Sequence, residues 1–390
     1  MQPLQGIRVV DLSRILSGPY CTMTLADLGA EVIKIESAAG DDSRHWGPPF
    51  IAGESAYFLS ANRSKKSVLL DLKSAEGQRA LWDLIATADI VVENFRPGTL
   101  ERLGFSWEEI HRRAPRVILA SISGYGLTGP LAHAPGYDLI AQGEGGLMHV
   151  TGEADRPPAK VGFSIADLGA GMWAVIGVLA ALHAREQSGV GDHIDVSLLE
   201  TVVSWQTYHA AASQLVGAVP QRMGSAHPTI APYQTFSASD GYFNLAVGND
   251  SLWRRLCDLL DALPIEDQWY RDPAYDHNPD RVRGREALVA RLDAIFVQRP
   301  RQEWLRRFTE AGIPCGSVNS IAEALAHPQI EARGLVRTVK HPTVGDMPTV
   351  GPPLVFTLAE TRPPTAPPLL GADTEETLRA LASRADEPRE

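Results

Sequence analysis

The chain has 390 residues, of which 44% are hydrophobic and 21% charged, and its formal net charge is -11. This length allows about two domains with sizeable cores, and the composition is typical of a soluble globular enzyme. The acidic balance argues against nucleic acid as a partner, because binding to phosphates needs a basic face, and no uninterrupted apolar run approaches the ~20 residues of a membrane span.

The N-terminus and the cysteines favour the cytoplasm. The chain leads directly into a strand-like run at residues 7–12, without the pattern of a secretory signal. Cys21, Cys257 and Cys315 are far apart, odd in number and without ligand spacing, so neither disulfides nor a zinc site is expected. We therefore predict a cytoplasmic protein without a metal centre.

The first third of the chain alternates short β-branched runs with helical patterns, a rhythm typical of a doubly wound parallel sheet. The predicted strands are residues 7–12, 31–35, 67–72, 89–94 and 116–123, and the predicted helices are residues 20–28, 77–87 and 107–113. The fold class is therefore predicted as α/β, with a large domain built on a doubly wound parallel sheet. A basic cluster at residues 63–66 indicates either a pocket for a small anion or a solvated charged turn.

Residues 124–158 are rich in glycine and proline, which predicts a long structured loop of the kind that lines a site. A largely apolar helix follows at residues 167–187, then a strand at 193–199 and a second apolar helix at 200–216. The loop-forming composition after residue 222 predicts a domain boundary.

A smaller α/β domain is expected beyond this boundary. Its predicted strands are residues 242–247 and 315–318, and its predicted helices are residues 251–262, 285–297 and 302–311. The pattern is irregular after residue 330, and the segment from residue 385 is predicted to be disordered.

Nucleotide-binding motifs are missing, since the sequence has neither a GxGxxG after the opening strand nor a P-loop. The loop at residues 13–19 follows a predicted strand, where backbone groups and the next helix start can meet an anionic ligand. Residues 92–98 place an aromatic and an amide at another strand end, with a stabilising turn as the alternative. Lys73 and Arg102 also follow strand ends, with solvated surface positions as the alternative.

Asp167 is the strongest candidate for chemistry, because it places one carboxylate at the start of an apolar helix amid glycines. Helix N–H groups would hold the carboxylate, small neighbours would leave room for a substrate, and a desolvated carboxylate can act as a nucleophile. The alternative interpretation is a structural N-cap.

Taken in order, several segments resemble the family III coenzyme A transferases, the group that includes formyl-CoA transferase and carnitine CoA-transferase. The likeness covers nearly the whole chain. The segments that carry it are residues 4–12, 17–19, 27–36, 94–98 and 136–138, Asp167, and residues 367–371.

The resemblance implies that Asp167 is the catalytic residue and that Tyr137 and Asp138 face the reacting centre. It implies CoA binding along Ile15, Leu16, Ser17, Leu70, Lys73, Asn94, Phe95 and Arg102. Acyl-CoA and small carboxylic acids would be substrates, with no tightly bound cofactor. The resemblance also implies an interlocked homodimer in which residues 1–222 and a returning segment, 330–390, form the large domain and residues 223–329 the small one.

The chain resembles the succinyl-CoA:glutarate branch of this family more than the formyl-CoA branch, whose polyglycine loop it lacks. We therefore expect succinyl-CoA as donor and glutarate, malate, itaconate or citramalate as acceptor. A remote second carboxylate needs a cation or hydrogen-bond donors, and the residues of suitable type are Arg44, Ser225, His227 and Thr229. The alternatives are a salt bridge from Arg44 to Asp41 or Asp42 and a loop contact for His227.

Three other functions stay open. An α-methylacyl-CoA racemase resembles this family in fold but has a histidine at the position of Tyr137. Racemisation needs an acid and a base on opposite faces, and a tyrosine with an ordinary pKa near ~10 is a poor base. A non-catalytic CoA-binding module is the other alternative, and lyase activity also stays open.

Overall fold

A computed structural model describes residues 1–385, and the predicted disordered tail beyond Ala385 lies outside the described residues. The strands are β1 (Arg8–Asp11), β2 (Glu31–Glu36), β3 (Phe50–Ile51), β4 (Glu54–Ser55), β5 (Lys65–Leu69), β6 (Ile90–Glu93), β7 (Ile118–Ser123), β8 (His193–Ser197), β9 (Tyr233–Ala238), β10 (Gly241–Ala246), β11 (Cys315–Ser317), β12 (Val336–His341) and β13 (Gly345–Val350). The helices are α1 (Ser17–Asp27), α2 (Ala56–Ala61), α3 (Ala75–Ile85), α4 (Thr99–Arg102), α5 (Trp107–Arg113), α6 (Asp138–Glu144), α7 (Leu147–Val150), α8 (Ile165–Ser188), α9 (Leu198–Ser204), α10 (Thr207–Val216), α11 (Asp250–Asp261), α12 (Asn278–Arg283), α13 (Arg285–Phe296), α14 (Arg301–Glu310), α15 (Ile321–Leu325), α16 (Pro328–Ala332) and α17 (Thr374–Ala385).

The chain forms two compact units. The first unit comprises Met1–Met148, Lys160–Ala218 and the chain from Pro328 onward, and the second comprises His149–Ala159 and Val219–His327. The second unit therefore includes a short stretch, residues 149–159, that the sequence-based ranges assign to the large domain.

The first unit is built on a parallel sheet in the order β5-β2-β1-β6-β7-β8. Its inner strands are almost wholly buried, which is why they appear in the sequence as short continuous apolar runs. The order of the strands in the sheet reverses between β1 and β6, which makes this position a switch point. In open α/β sheets, ligands bind outside the carboxyl ends of the strands at such a point. The predicted α/β class with a parallel sheet is confirmed.

Helix α8 packs closely on α1 through a glycine. A Cβ atom on Gly171 would lie 2.6 Å from the carbonyl oxygen of Ser17, so only glycine allows this approach. Within residues 1–385, α8 is the one helix that is long and apolar enough, by length and composition, to cross a membrane. Half of its most apolar window is buried inside the protein.

Two cations of the basic cluster at residues 63–66, Arg63 and Lys65, are buried and paired with carboxylates, whereas Lys66 is partly exposed and lines a pocket with Lys340 and Arg362. Arg63 forms a buried ion pair with Asp27, and the Lys65 Nζ atom lies 3.0 Å from a carboxylate oxygen of buried Asp11. Each buried cation is thus neutralised inside the unit, which a local reading of the sequence cannot detect.

The second unit contains an antiparallel sheet in the order β11-β10-β9. Its core is rich in aromatic side chains, among which the ring of Phe296 contacts those of Phe236, Phe243, Trp304 and Phe308 at centroid distances of 4.9 to 5.6 Å. Strand β10 and helices α11, α13 and α14 lie where the sequence predicts elements.

The segment beyond residue 330 is more regular than predicted. It forms the hairpin β12-β13 and the helix α17. Its attachment to edge strand β5 is polar: the Ser67 amide donates to Asp373 over 2.8 Å, and the Leu69 amide donates to Thr374 over 3.0 Å. The single helix predicted at residues 200–216 is instead two helices, because α9 ends at Ser204 and α10 begins at Thr207.

Candidate active site

A pocket of about 150 Å³ lies in the first unit, where the loops after β1, β6 and β7 meet. The sequence-predicted residues that line it are Ile15, Leu16, Ser17, Asn94, Phe95, Tyr137 and Asp167. Gly124 and Gly136 also line it, and a Cβ atom on Gly124 would lie 2.7 Å from the Gly136 Cα atom. The two loops can approach this closely because both residues lack a side chain.

Asp167 lies in the first turn of α8 and is partly buried at the pocket. The N-cap of this helix is Ser164, so the interpretation of Asp167 as a structural N-cap is wrong. Burial and the nearby carboxylate of Asp138 raise the pKa of Asp167 to about 7. Its carboxylate is therefore poorly stabilised as an anion, which suits a nucleophile.

Asp138 fixes the start of the helix that carries Asp167. Its buried carboxylate accepts a hydrogen bond from the Ala166 amide over 2.9 Å and another from Gln142 Nε2 over 2.7 Å. Gln142 in turn accepts from the Val161 amide over 2.9 Å. The side chain of Asp138 is thus engaged with protein groups beside the nucleophile candidate.

Tyr57 is a neighbour of Asp167 that sequence reasoning missed. Ser55 caps the short helix α2 and accepts hydrogen bonds from its first amides, which places Tyr57 in the first turn. The tyrosine hydroxyl bonds to Ser164, and burial, together with the charges of Asp167 and Asp138, raises the pKa of Tyr57 to about 12. The phenol therefore stays protonated at neutral pH and can act as a donor.

The glycine at position 169 serves packing rather than substrate space. A Cβ atom there would lie 2.0 Å from the Trp205 ring and 2.8 Å from Thr201. The expectation that the glycines after Asp167 leave room for a substrate is therefore wrong for Gly169, as it is for Gly171 against α1.

A second pocket adjoins the first along the same sheet edge. It is lined by Leu70 and Lys73 after β5 and shares Arg14 and Phe95 with the first pocket. The Arg14 guanidinium lies 5.6 Å from the centre of the Phe95 ring. Arg102 donates to Thr99 within α4 and, across residues 1–385, lines neither pocket.

Arg44 has partners of its own. Its guanidinium donates to both carboxylate oxygens of Glu36, over 2.7 and 2.8 Å, and lies 3.6 Å from the centre of the Phe58 ring. The predicted alternative of a salt bridge is thus right in kind, but the partner is Glu36 rather than Asp41 or Asp42. The side chain is almost fully buried.

The other residues that are predicted to bind the acceptor acid belong to the second unit. Ser225 Oγ accepts from the Thr235 amide over 3.0 Å, and His227 Nδ1 accepts from the Thr229 amide over 3.2 Å. The His227 ring also contacts Tyr233 at 5.3 Å. In the part of the chain that the structure describes, no group of three or more His, Cys, Asp or Glu side chains is arranged to hold a metal ion.

Comparison with known proteins gives consistent results. The sequence model described as CoA-transferase family III matches residues 4–374. The succinyl-CoA:glutarate CoA-transferase of Mus musculus is 42% identical over 386 residues, which cover 98% of this chain and 87% of that protein. The succinyl-CoA:mesaconate CoA-transferase of Haloarcula marismortui is 35% identical over 388 residues, covering 97% and 96%. A solved CAIB/BAIF family protein from Brucella suis is 40% identical, with a TM-score of 0.88, and covers 97% of this chain and 99% of that one.

Proposed function

The chain belongs to CoA-transferase family III, and we propose that it moves CoA from succinyl-CoA to a short dicarboxylic acid through covalent intermediates on Asp167. One observation carries this proposal: Asp167 is a single carboxylate with a pKa raised to about 7, set in the wall of a pocket at the switch point of the sheet. Burial disfavours its charged form, so reaction with an acyl carbonyl relieves an unfavourable charge.

The two adjoining pockets support a path for acyl-CoA. The nucleotide end would lie in the pocket of Leu70 and Lys73, where an ammonium group is available for phosphate. The pantetheine arm would pass between Arg14 and Phe95, which both pockets share. The thioester would then reach Asp167 in the first pocket.

The proposed reaction exchanges acyl groups at one carboxylate. Asp167 attacks the thioester carbonyl, the C–S bond breaks, and the products are a mixed anhydride and CoA thiolate. The thiolate attacks the aspartyl carbonyl, which releases the donor acid and leaves an aspartyl-CoA thioester. The acceptor carboxylate then attacks this thioester, and the expelled thiolate attacks the new acyl group, restoring Asp167.

Neighbouring groups would assist these steps. Each addition to a carbonyl builds negative charge on an oxygen, which a fixed donor stabilises in a partly desolvated site. We propose the Tyr57 hydroxyl as such a donor, because it stays protonated at neutral pH and lies within the electrostatic influence of Asp167. A racemase would instead need an acid and a base on opposite faces of the α-carbon, and no observation at this pocket favours that function.

The acceptor is proposed to be a C4 to C6 diacid, as expected from the sequence. Glutarate and mesaconate, named for the two relatives, are both dicarboxylic acids. Ser225, His227 and Thr229 remain our proposed donors to the remote carboxylate because of their chemical types. Arg44 is a weaker choice, since its guanidinium already forms a bidentate pair with Glu36.

We expect diacids to be better acceptors than monoacids that lack only the remote carboxyl group. With succinyl-CoA as donor, glutarate should exceed butyrate in kcat/KM by about 100-fold, because a remote carboxylate adds charge-assisted hydrogen bonds worth ~2 to 3 kcal/mol. The screen measures new thioester formation with glutarate, malate, itaconate and citramalate against butyrate, formate and carnitine. Equal turnover of butyrate and every diacid would refute the proposed specificity.

We further propose a cytoplasmic homodimer with interlocked chains. Large apolar side chains support a protein partner, because they remain exposed on the first unit at Trp173, Ile176, Leu215 and Val216. If the chains thread through each other, the dimer cannot separate without unfolding. Sedimentation at falling protein concentration should therefore show a dimer throughout, whereas an active monomer would contradict the proposal.

A further inference from the structure

Ile15 has a backbone conformation that a β-branched residue rarely adopts. Its φ angle is 72°, in the left-handed region that normally favours glycine. Ile15 also lines the pocket that contains Asp167. Such strain persists only where surrounding groups enforce it, and it concentrates at functional sites.

A hydrogen bond to a buried carboxylate holds Ile15 in this conformation. The Ile15 amide donates to Asp41, at 3.1 Å from one carboxylate oxygen and 3.2 Å from the other. Asp41 also accepts from the Ser43 amide over 2.9 Å and forms an ion pair with Lys34 Nζ at 2.9 Å. The side chains of Lys34 and Asp41 are completely inaccessible to solvent.

The residues before Ile15 are fixed as well. The Ser13 carbonyl accepts from Lys34 Nζ over 2.7 Å. The Arg14 amide donates to the Asn94 side chain over 2.8 Å, and the Arg14 carbonyl accepts from the same side chain over 2.7 Å. Side chains from other parts of the first unit thus hold the backbone at three consecutive positions of one pocket wall.

We infer that Asp41 is a positioning residue for acyl-CoA binding, which holds Ile15 in its left-handed conformation and so shapes the pocket wall at residues 14–17. This inference rests on the proposed function, because it assigns acyl-CoA to that pocket. The carboxylate is available for this role because, although burial alone would raise the pKa of Asp41, the Lys34 ammonium lowers it to about 2. Asp41 thus remains an acceptor throughout the neutral range.

The variant Asp41→Asn tests this role. An asparagine has one acceptor oxygen, and the buried Lys34 ammonium claims it. The NH₂ group then takes the place of the oxygen that accepts from the Ser43 amide and, over 3.1 Å, from the Ile15 amide, so donor faces donor and the support of Ile15 is weakened. The loop then relaxes, and KM for acyl-CoA should rise about tenfold. The kcat value should change less than about threefold, since Asp138 rather than this loop holds the helix start beside Asp167.

A matched control makes the same chemical change at another buried ion pair. The carboxylate of Asp27 pairs with Arg63. Within residues 1–385, it forms no hydrogen bond to the loop at residues 13–15. Asp27→Asn should lower stability but leave KM for acyl-CoA unchanged. An equal rise in KM for both variants would show that general destabilisation is responsible and would overturn the inference.

A double-mutant cycle with Ile15→Gly tests the mechanism directly. Glycine adopts a positive φ without support, so Asp41→Asn should raise KM much less in the Ile15→Gly background than in the wild type. Purely additive effects would overturn the inference. If Asp41→Asn does not fold, Asp41→Glu replaces it, because it keeps the charge opposite Lys34 but displaces the carboxylate from the Ile15 amide.

The result is distinguishable from a failure of the proposed function. A wild-type protein that transfers no CoA would refute the function itself. A functional wild type whose Asp41→Asn variant keeps the normal KM would refute only the positioning role.

Discussion

Asp167→Ala and Asp167→Asn are expected to lose CoA transfer by at least about 10⁴-fold, because neither side chain can form the mixed anhydride. CoA itself should still bind with a Kd within about threefold of wild type, since the proposed CoA contacts lie on other loops of the pocket. Turnover from succinyl-CoA and CoA binding by calorimetry measure the two properties separately.

The control for this experiment is Asp83→Asn, an exposed aspartate on α3. It should keep wild-type turnover and CoA affinity. Near-normal transfer by purified Asp167→Ala would contradict the proposed mechanism. Loss of both transfer and CoA binding would also count against it, because the substitution is proposed to remove chemistry and not affinity.

The second large effect concerns stability. Asp167→Asn should be more stable than wild type at pH 8, by at most ~4 kcal/mol, since the wild-type protein must hold a poorly solvated charge. The pKa of Asp167 is raised from 3.8 to about 7 on folding. Between these values the folded state binds more protons than the unfolded state, so wild-type stability rises as pH falls. The advantage of Asp167→Asn should shrink accordingly at pH 5.

Asp41→Asn is expected to change the stability of the protein in the opposite direction from Asp167→Asn. The pKa of Asp41 is lowered from 3.8 to about 2, so its carboxylate stabilises the fold above this window and the contribution is lost as pH falls through it. Asp41→Asn should therefore be less stable than wild type at pH 8, by about 2 kcal/mol. Urea unfolding at pH 8 and pH 5 measures the stability of both variants relative to wild type. An Asp167→Asn variant less stable than wild type at pH 8 would contradict the assigned pKa.

The parallel sheet can largely be predicted from the sequence because a local sequence pattern marks most of its strands. Strands β1, β6 and β7 are short, largely apolar and buried runs, and each is followed by turn or cap residues. The C-terminal hairpin and α17 lie outside the predicted elements because their support is distant in sequence: Val339 and Met347 of the hairpin, for example, pack on Leu59. Asp373 and Thr374 bond to β5 across more than 300 residues, and local patterns do not report such contacts.

Buried charges were the main source of error. Arg44, Lys65 and Arg63 are of types that usually lie at the surface, and by sequence alone each is a candidate cation for an anionic ligand. In the structure each is buried and paired with a carboxylate. Only the fold brings Glu36, Asp11 and Asp27 beside them, so the sequence alone favours the wrong environment.

The site was predictable at Asp167 and incomplete around it. A carboxylate among glycines at the start of an apolar helix is a recognisable signal, and the structure places it in a pocket. Tyr57 gave no such signal, because it lies on a six-residue helix far away in the chain. The support of Ala166 by Asp138 likewise depends on a contact across 28 residues.

Asp167 is proposed to carry the CoA group during turnover, and this covalent intermediate can be trapped. Wild-type protein incubated with succinyl-CoA and then treated with hydroxylamine should yield an aspartyl hydroxamate, because the amine displaces CoA thiol from the thioester. Peptide mass spectrometry locates the modified residue. We expect modification at Asp167 that depends on succinyl-CoA, whereas a hydroxamate at another carboxylate instead would refute Asp167 as the CoA-bearing residue.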